Sequence, residues 1–146
     1  MKTYRLGAMR RLGNAVIKPL VRSGLITGNY ALLTVRGRST GRLYTTPVRL
    51  LERDGQSWLV APYGAVSWVR NARAAGEVTL RRGRRNWTAA VVECDAQQSG
   101  PILRDYVRAV PVTRPYFDAR PDDPVDRFVD EATAHPVFRL VEKAST

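Results

Sequence analysis

The residues of this chain best equipped for chemistry lie in one short stretch, Arg36-Gly37-Arg38-Ser39-Thr40-Gly41-Arg42. Three arginines bring fixed positive charge and bidentate donors, while Ser39 and Thr40 bring small hydroxyls. Gly37 and Gly41 allow positive φ, so the backbone can turn tightly and present amide N–H groups. A turn of this kind suits a phosphate or a polycarboxylate. It is not a Walker loop, because no G-x-x-x-x-G-K-[ST] is present and a strand follows where a helix would be required. Taken alone, the same residues also describe a hairpin turn with solvated arginines, so the anion reading draws its weight from what surrounds the turn. Cys94 and His135 are each single in the sequence, which excludes an internal disulfide and argues against zinc. No Ser-His-Asp or Cys-His constellation for nucleophilic catalysis is present.

The turn must be held by strands. Tyr30 to Val35 is a short apolar run rich in β-formers, and Tyr44 to Leu50 is a second. Asp54-Gly55 is a tight-turn signal between the runs 48–53 and 56–61. Ser57 to Ala61 reads as a third strand and ends in Pro62-Tyr63-Gly64-Ala65. Ser67 is expected to cap a short helix from Trp68 to Ala75 that Gly76 stops. Val78 to Leu80 and Trp87 to Val92 read as strands four and five, joined by a basic turn over 81–85. Asp95 is expected to cap a helix that ends at Pro111, followed by an extended, proline-pinned loop from Pro111 to Phe117. Pro121 to Pro124 opens another short helix with acids in its first turn. Val137 to Val141 closes the chain as a sixth strand. Six mainly antiparallel strands with two or three short helices predict an α+β fold built on a small barrel. No internal repeat or low-complexity linker divides it, so residues 29–146 read as one domain preceded by a segment over 1–28.

Charge is unevenly spread. The net charge of +11 comes from 24 basic and 13 acidic residues; residues 1–92 carry 17 basic and 3 acidic, and residues 93–146 carry 7 and 10. A basic front half implies an anionic partner, whether nucleic acid, a membrane surface or a small molecule. Nucleic acid ranks last, since neither interleaved strand aromatics nor a helix-turn-helix pattern is present. On a helical wheel Leu6, Met9, Leu12, Val16, Ile17 and Leu20 gather opposite Arg11, Lys18 and Arg22, the pattern of an amphipathic helix that either packs on the domain or lies on an anionic membrane. No apolar run reaches the roughly 20 residues of a membrane span and no cleavable signal is recognisable, so a cytoplasmic address, at the inner face of the plasma membrane if the helix binds lipid, is the expectation.

Three ordered landmarks carry a resemblance. Residues 33–42 with Thr46-Pro47 and Asp54-Gly55, then Leu59-Val60-Ala61-Pro62-Tyr63-Gly64, then Trp68-Val69-Arg70-Asn71-Ala72-Arg73-Ala74, together resemble the actinobacterial deazaflavin-dependent nitroreductase and quinone reductase family. The similarity spans roughly residues 28–142. It implies a split β-barrel related to the flavin-binding pyridoxamine-phosphate-oxidase-like proteins, which often dimerise, and coenzyme F420, with flavin mononucleotide as the alternative cofactor. It also implies roles. Arg38, Ser39, Thr40, Gly41 and Arg42 would hold the cofactor's anionic tail, with Thr46 and Pro47 under its ring. Ala61, Pro62, Tyr63 and Gly64 would border the ring, and Trp68 and Asn71 would pack and hydrogen-bond beside it. Hydride would pass to a small hydrophobic acceptor, a quinone, an activated alkene or a nitroaromatic, and Tyr63, Tyr106 or Tyr116 could then donate a proton. The chain departs from the family's pattern in two places: Ser39 stands where many members have lysine, and the loop from Ala65 to Trp68 is short. Because some branches bind lipids, a fatty-acid carrier without redox activity on the same barrel is the alternative.

Overall fold

A computed structural model describes residues 30–143. The expected helix of the 1–28 segment lies outside these residues. Strands β1 (Tyr30–Arg36), β2 (Leu43–Arg53) and β3 (Gln56–Val60) come first, followed by helix α1 (Ser67–Ala75). Strands β4 (Glu77–Arg82) and β5 (Arg85–Glu93), helices α2 (Ala96–Ala109) and α3 (Val125–Asp130), and strand β6 (Val137–Glu142) complete the order. The sheet closes in the order β1-β2-β3-β6-β5-β4, with every neighbouring pair antiparallel. This is the α+β barrel that the hairpin signals predict. Asp54 and Gly55, at φ 50° and 76°, form the β2–β3 turn, the positive angles that a two-residue hairpin with matching twist requires.

The barrel wall separates two cores because successive strand residues face opposite sides. Ala31, Leu33 and Val35 of β1 and Leu50 of β2 point inward to Leu59, Leu80 and Phe138, and α1 adds Val69 and Ala72 to that interior. The next residue along β2, Leu51, joins Val60 on the outer side, where α2 packs Leu103, Tyr106 and Val107 and α3 packs Phe128. Helix α2 begins with a reciprocal capping box: Asp95 Oδ1 accepts from the Gln98 amide at 2.8 Å, and the Asp95 amide donates to Gln98 Oε1 at 3.0 Å. Gly76, at φ 77°, ends α1 as predicted.

β2 changes partner along its length. Leu43–Arg49 pairs with β1 and Leu50–Arg53 pairs with β3, so the first seven residues of β2 have a strand on one side only. Pro47 falls in that stretch, where its missing N–H interrupts no second ladder. The opening this leaves in the wall is where the 36–42 turn and α1 meet.

Three local expectations need correction. Ser67 is the first helical residue of α1 and not its cap; Val66 occupies the cap position with no side-chain bond. Residues Pro111–Tyr116 form a 3-10 helix in place of an extended loop, tied by Thr113 Oγ1 donating to the Val110 carbonyl at 2.7 Å. Helix α3 starts only at Val125; of the predicted first-turn acids, Asp123 instead accepts from the Arg120 amide at 2.7 Å, leaving Asp126 in the first turn.

Replacing Asp95 with alanine removes one half of the capping box outright. Urea denaturation should show a loss of about 1 kcal/mol with an unchanged slope, since the compactness of neither state is altered.

Candidate active site

The 36–42 turn is built from its own backbone. The Gly37 amide donates to the Arg42 carbonyl at 2.7 Å and the Gly41 amide to the Gly37 carbonyl at 3.0 Å. Gly41 has φ 74°, the left-handed conformation that makes the turn close. Gly37 is favoured for a different reason: a Cβ there would come within 2.6 Å of Tyr44 Cε2, so the half-exposed tyrosine ring would have to move. The Arg42 amide donates to Thr40 Oγ1 at 3.2 Å, and Arg36 Nη1 donates to the Gly41 carbonyl at 3.0 Å.

One contact orients the turn against the barrel. Asn71 of α1, 5% exposed, accepts through Oδ1 from both the Arg38 amide at 3.1 Å and Arg38 Nη1 at 2.7 Å. The amides of Gly37, Arg38, Gly41 and Arg42 are therefore committed within the protein. This corrects the expectation for these four amides; those of Ser39 and Thr40, whose residues line the cleft, are not among them. The turn also presents its side chains.

Those side chains line a cleft of about 430 Å³ between the turn, the start of β2 and α1. Arg38, Ser39, Thr40, Thr46, Trp68 and Asn71, all predicted, meet there. Val35, Gly37, Tyr44, Thr45 and Ser67 complete the wall and were not anticipated there. Thr45 is fixed by a 2.8 Å hydroxyl contact with Thr34 on the neighbouring strand. No aspartate or glutamate lines the cleft among the described residues. A guanidinium, several hydroxyls and an aromatic edge without a carboxylate form a donor set that fits an anion carrying a flat ring. Gly41, Arg42 and Pro47 lie beside the cleft without lining it.

The remaining predicted residues fall elsewhere. Ala61 is 1% exposed, and its amide donates to the Pro136 carbonyl at 2.8 Å. Pro62 and Tyr63 line a second groove, of about 470 Å³, with Tyr116, Asp118, Glu131, Ala134 and His135. Tyr63 and Tyr116 meet edge to face there, with centroids 4.8 Å apart. Gly64 sits on the loop that leads from this groove to Ser67 and the cleft. Tyr106 lines neither space. It is 5% exposed, and burial first, then Tyr63 and Tyr30, push its hydroxyl well above the ordinary tyrosine range. The structure thus sets Tyr106 apart from both spaces, unlike Tyr63 and Tyr116. Sequence reasoning also missed Glu131 and His135, whose contribution to the groove depends on long-range packing.

The comparisons with known proteins bear on what such a cleft serves. A family model described as F420H(2)-dependent quinone reductase matches residues 10–131. The chain belongs to that family. A comparison with curated proteins returns no match. Among solved structures, the F420-H2 dependent reductase FDR-A is similar at 19% identity and a TM-score of 0.55, over 79% of this chain and 98% of that one. A domain-swapped dimer is similar at 18% identity and a TM-score of 0.57, over 90% and 96%. A Clostridium acetobutylicum protein related to general stress protein 26 of B. subtilis, of the pyridoxinephosphate oxidase family, is similar at 10% identity and a TM-score of 0.52, over 92% and 83%. The barrel is thus the split barrel of flavin and deazaflavin oxidoreductases, as the resemblance implies. The family is F420-dependent, and the protein is an oxidoreductase of that cofactor. Among the described residues, no helix is long and apolar enough to cross a membrane.

Replacing Asn71 with alanine leaves the Arg38 amide without its acceptor. Denaturant unfolding should show a loss of about 1 kcal/mol, the net worth of a part-buried hydrogen bond.

Proposed function

We propose that this family member reduces a small hydrophobic acceptor, a quinone, an activated alkene or a nitroaromatic, with the anionic end of F420 held in the 430 Å³ cleft. The observation that carries this reading is the acid-free cleft built on the Arg38 turn, in a chain whose family uses that cofactor. Arg38, Ser39, Thr40 and Arg42 would hold the phosphate and glutamates, Thr46, Pro47 and Trp68 would flank the ring, and the 61–64 loop would border it. When bound, the cofactor supplies the hydride. The protein's share is to orient, to exclude water and to supply a proton; no side-chain nucleophile is needed. Ser39 lacks the charge of lysine, so Arg38 is left as the cation on the cleft wall, and Asn71 fixes its position.

Two features place this chemistry in context. The unpaired side of β2 exposes Leu43 (65%) and Tyr44 (47%) next to the cleft, a surface suited to a second copy of the chain, and one similar fold is a domain-swapped dimer. The basic amphipathic pattern of residues 1–28 would bring the domain to an anionic membrane, where quinones partition.

The test compares two arginines. Arg85 pairs with Glu142 and stacks over the Trp87 ring at 4.2 Å, on a different hairpin. Arg38→Ala should weaken F420 binding at least tenfold in a fluorescence titration, consistent with about 1.5–3 kcal/mol for a hydrogen bond to a charged group, and Arg85→Ala should leave it unchanged. Equal affinities in both variants and the wild type would remove the cleft assignment.

A further inference from the structure

The second groove contains a group that the reading above does not use. His135 is the single histidine of the chain and is 4% exposed, its ring stacked on Phe117 with centroids 3.8 Å apart. Its Nδ1 lies 2.8 Å from the Pro62 carbonyl oxygen, and its Nε2 lies 2.9 Å from Glu131 Oε1. A carbonyl oxygen only accepts, so Nδ1 carries hydrogen. The Nε2···Oε1 contact then requires a further proton, because a bare nitrogen lone pair would otherwise face a carboxylate oxygen. The amides of Asp118 and Ala119 also donate to Glu131, at 3.0 and 2.7 Å on its two oxygens. A proton between Nε2 and Oε1 would satisfy both atoms, with the two amides as further donors to the carboxyl. The pair stands in the wall of a 470 Å³ groove that also holds Tyr63 and Tyr116.

We propose that Glu131 and His135 are the proton source for the acceptor, which binds in this groove as an uncharged, conjugated electrophile between the two tyrosines. The inference rests on the reductase reading. Asp118 and Glu131 line the groove, which disfavours an anionic acceptor. A conjugated ring suits the edge-to-face tyrosines. The balance is simple. The acceptor would gain a hydride from the reduced deazaflavin and a proton from the Glu131–His135 pair; it would be reduced by two electrons and the deazaflavin oxidised. The pair is left as neutral imidazole and carboxylate and recovers its proton from water. A merely structural pair would brace the Pro62 loop and the 117–119 segment equally well, so the test must read the proton itself.

Having a single histidine makes that direct. In the full chain without cofactor, nitrogen-15 histidine spectra at neutral pH should show hydrogen on both ring nitrogens. In Glu131→Gln the side-chain amide can donate to Nε2, and the hydrogen on Nε2 should disappear while the fold is kept. With F420 bound and a short-chain naphthoquinone as acceptor, Glu131→Gln and His135→Asn should each lower kcat about a hundredfold or more, the range of a lost general acid, with F420 affinity unchanged. Asparagine keeps a donor toward the Pro62 carbonyl, which separates loss of the proton from loss of the brace. An Nε2 without hydrogen in the wild type, or a folded Glu131→Gln variant that turns over at the wild-type rate, would overturn the proposal and leave the reductase reading standing. A wild-type chain that binds F420 but reduces no acceptor would overturn both, whatever the spectra show.

Discussion

The cleft depends on a single amide oxygen. Asn71 Oδ1 takes both the backbone N–H and a guanidinium N–H of Arg38, across 33 residues of sequence. Without that bond the 36–42 turn would still close on itself through Gly37, Gly41 and Arg42, but nothing would fix its direction relative to α1. With it, the arginine is held at the rim and the hydroxyls of β2 face it. Charge on a flexible side chain loses rotamer freedom when it binds; charge already bonded to a buried anchor loses less, so more of the contact appears as affinity.

The barrel supplies the space. β2 is shared between β1 and β3, and where it is paired with β1 but not yet with β3, one side of it has no strand. Pro47 and the exposed Leu43 and Tyr44 belong to that interval. A second strand along that stretch would have covered the cleft with hydrogen-bonded backbone. The loop from Ala61 to Val66 then divides two spaces of different chemistry: a basic, hydroxyl-lined cleft and a groove with Glu131, Asp118 and His135. The anionic end of the cofactor would favour the first and an uncharged acceptor the second, with the ring required to reach the loop between them for hydride transfer.

Local chemistry made much of this visible in the sequence. Alternating β-formers, Asp54-Gly55, Gly76 and Asp95 each act within a few residues, and each has the predicted role in the structure. The meeting of Arg38, Thr46, Trp68 and Asn71 follows from landmarks whose order is read directly. What local reasoning could not supply is the fate of hydrogen bonds. Whether a glycine-rich turn spends its amides on itself or on a ligand depends on carbonyls and side chains elsewhere, and here Thr40 and Asn71 take two of them. Tyr63, Tyr106 and Tyr116 look alike as residue types; only packing separates a groove pair from a tyrosine on the buried face of α2. His135 and Glu131 are four residues apart, yet the other nitrogen of the ring is tied to Pro62, distant in sequence.

The claim at the centre is that the cleft recognises the anionic end of its ligand. The most direct measurement is a fluorescence titration of the wild-type chain with oxidised F420 and with the same deazaflavin chromophore lacking phosphate and glutamates. F420 should bind at least tenfold more tightly, with the difference shrinking as salt rises, because a partly exposed charge contact is screened. Equal affinity for the two ligands at low salt would contradict the account.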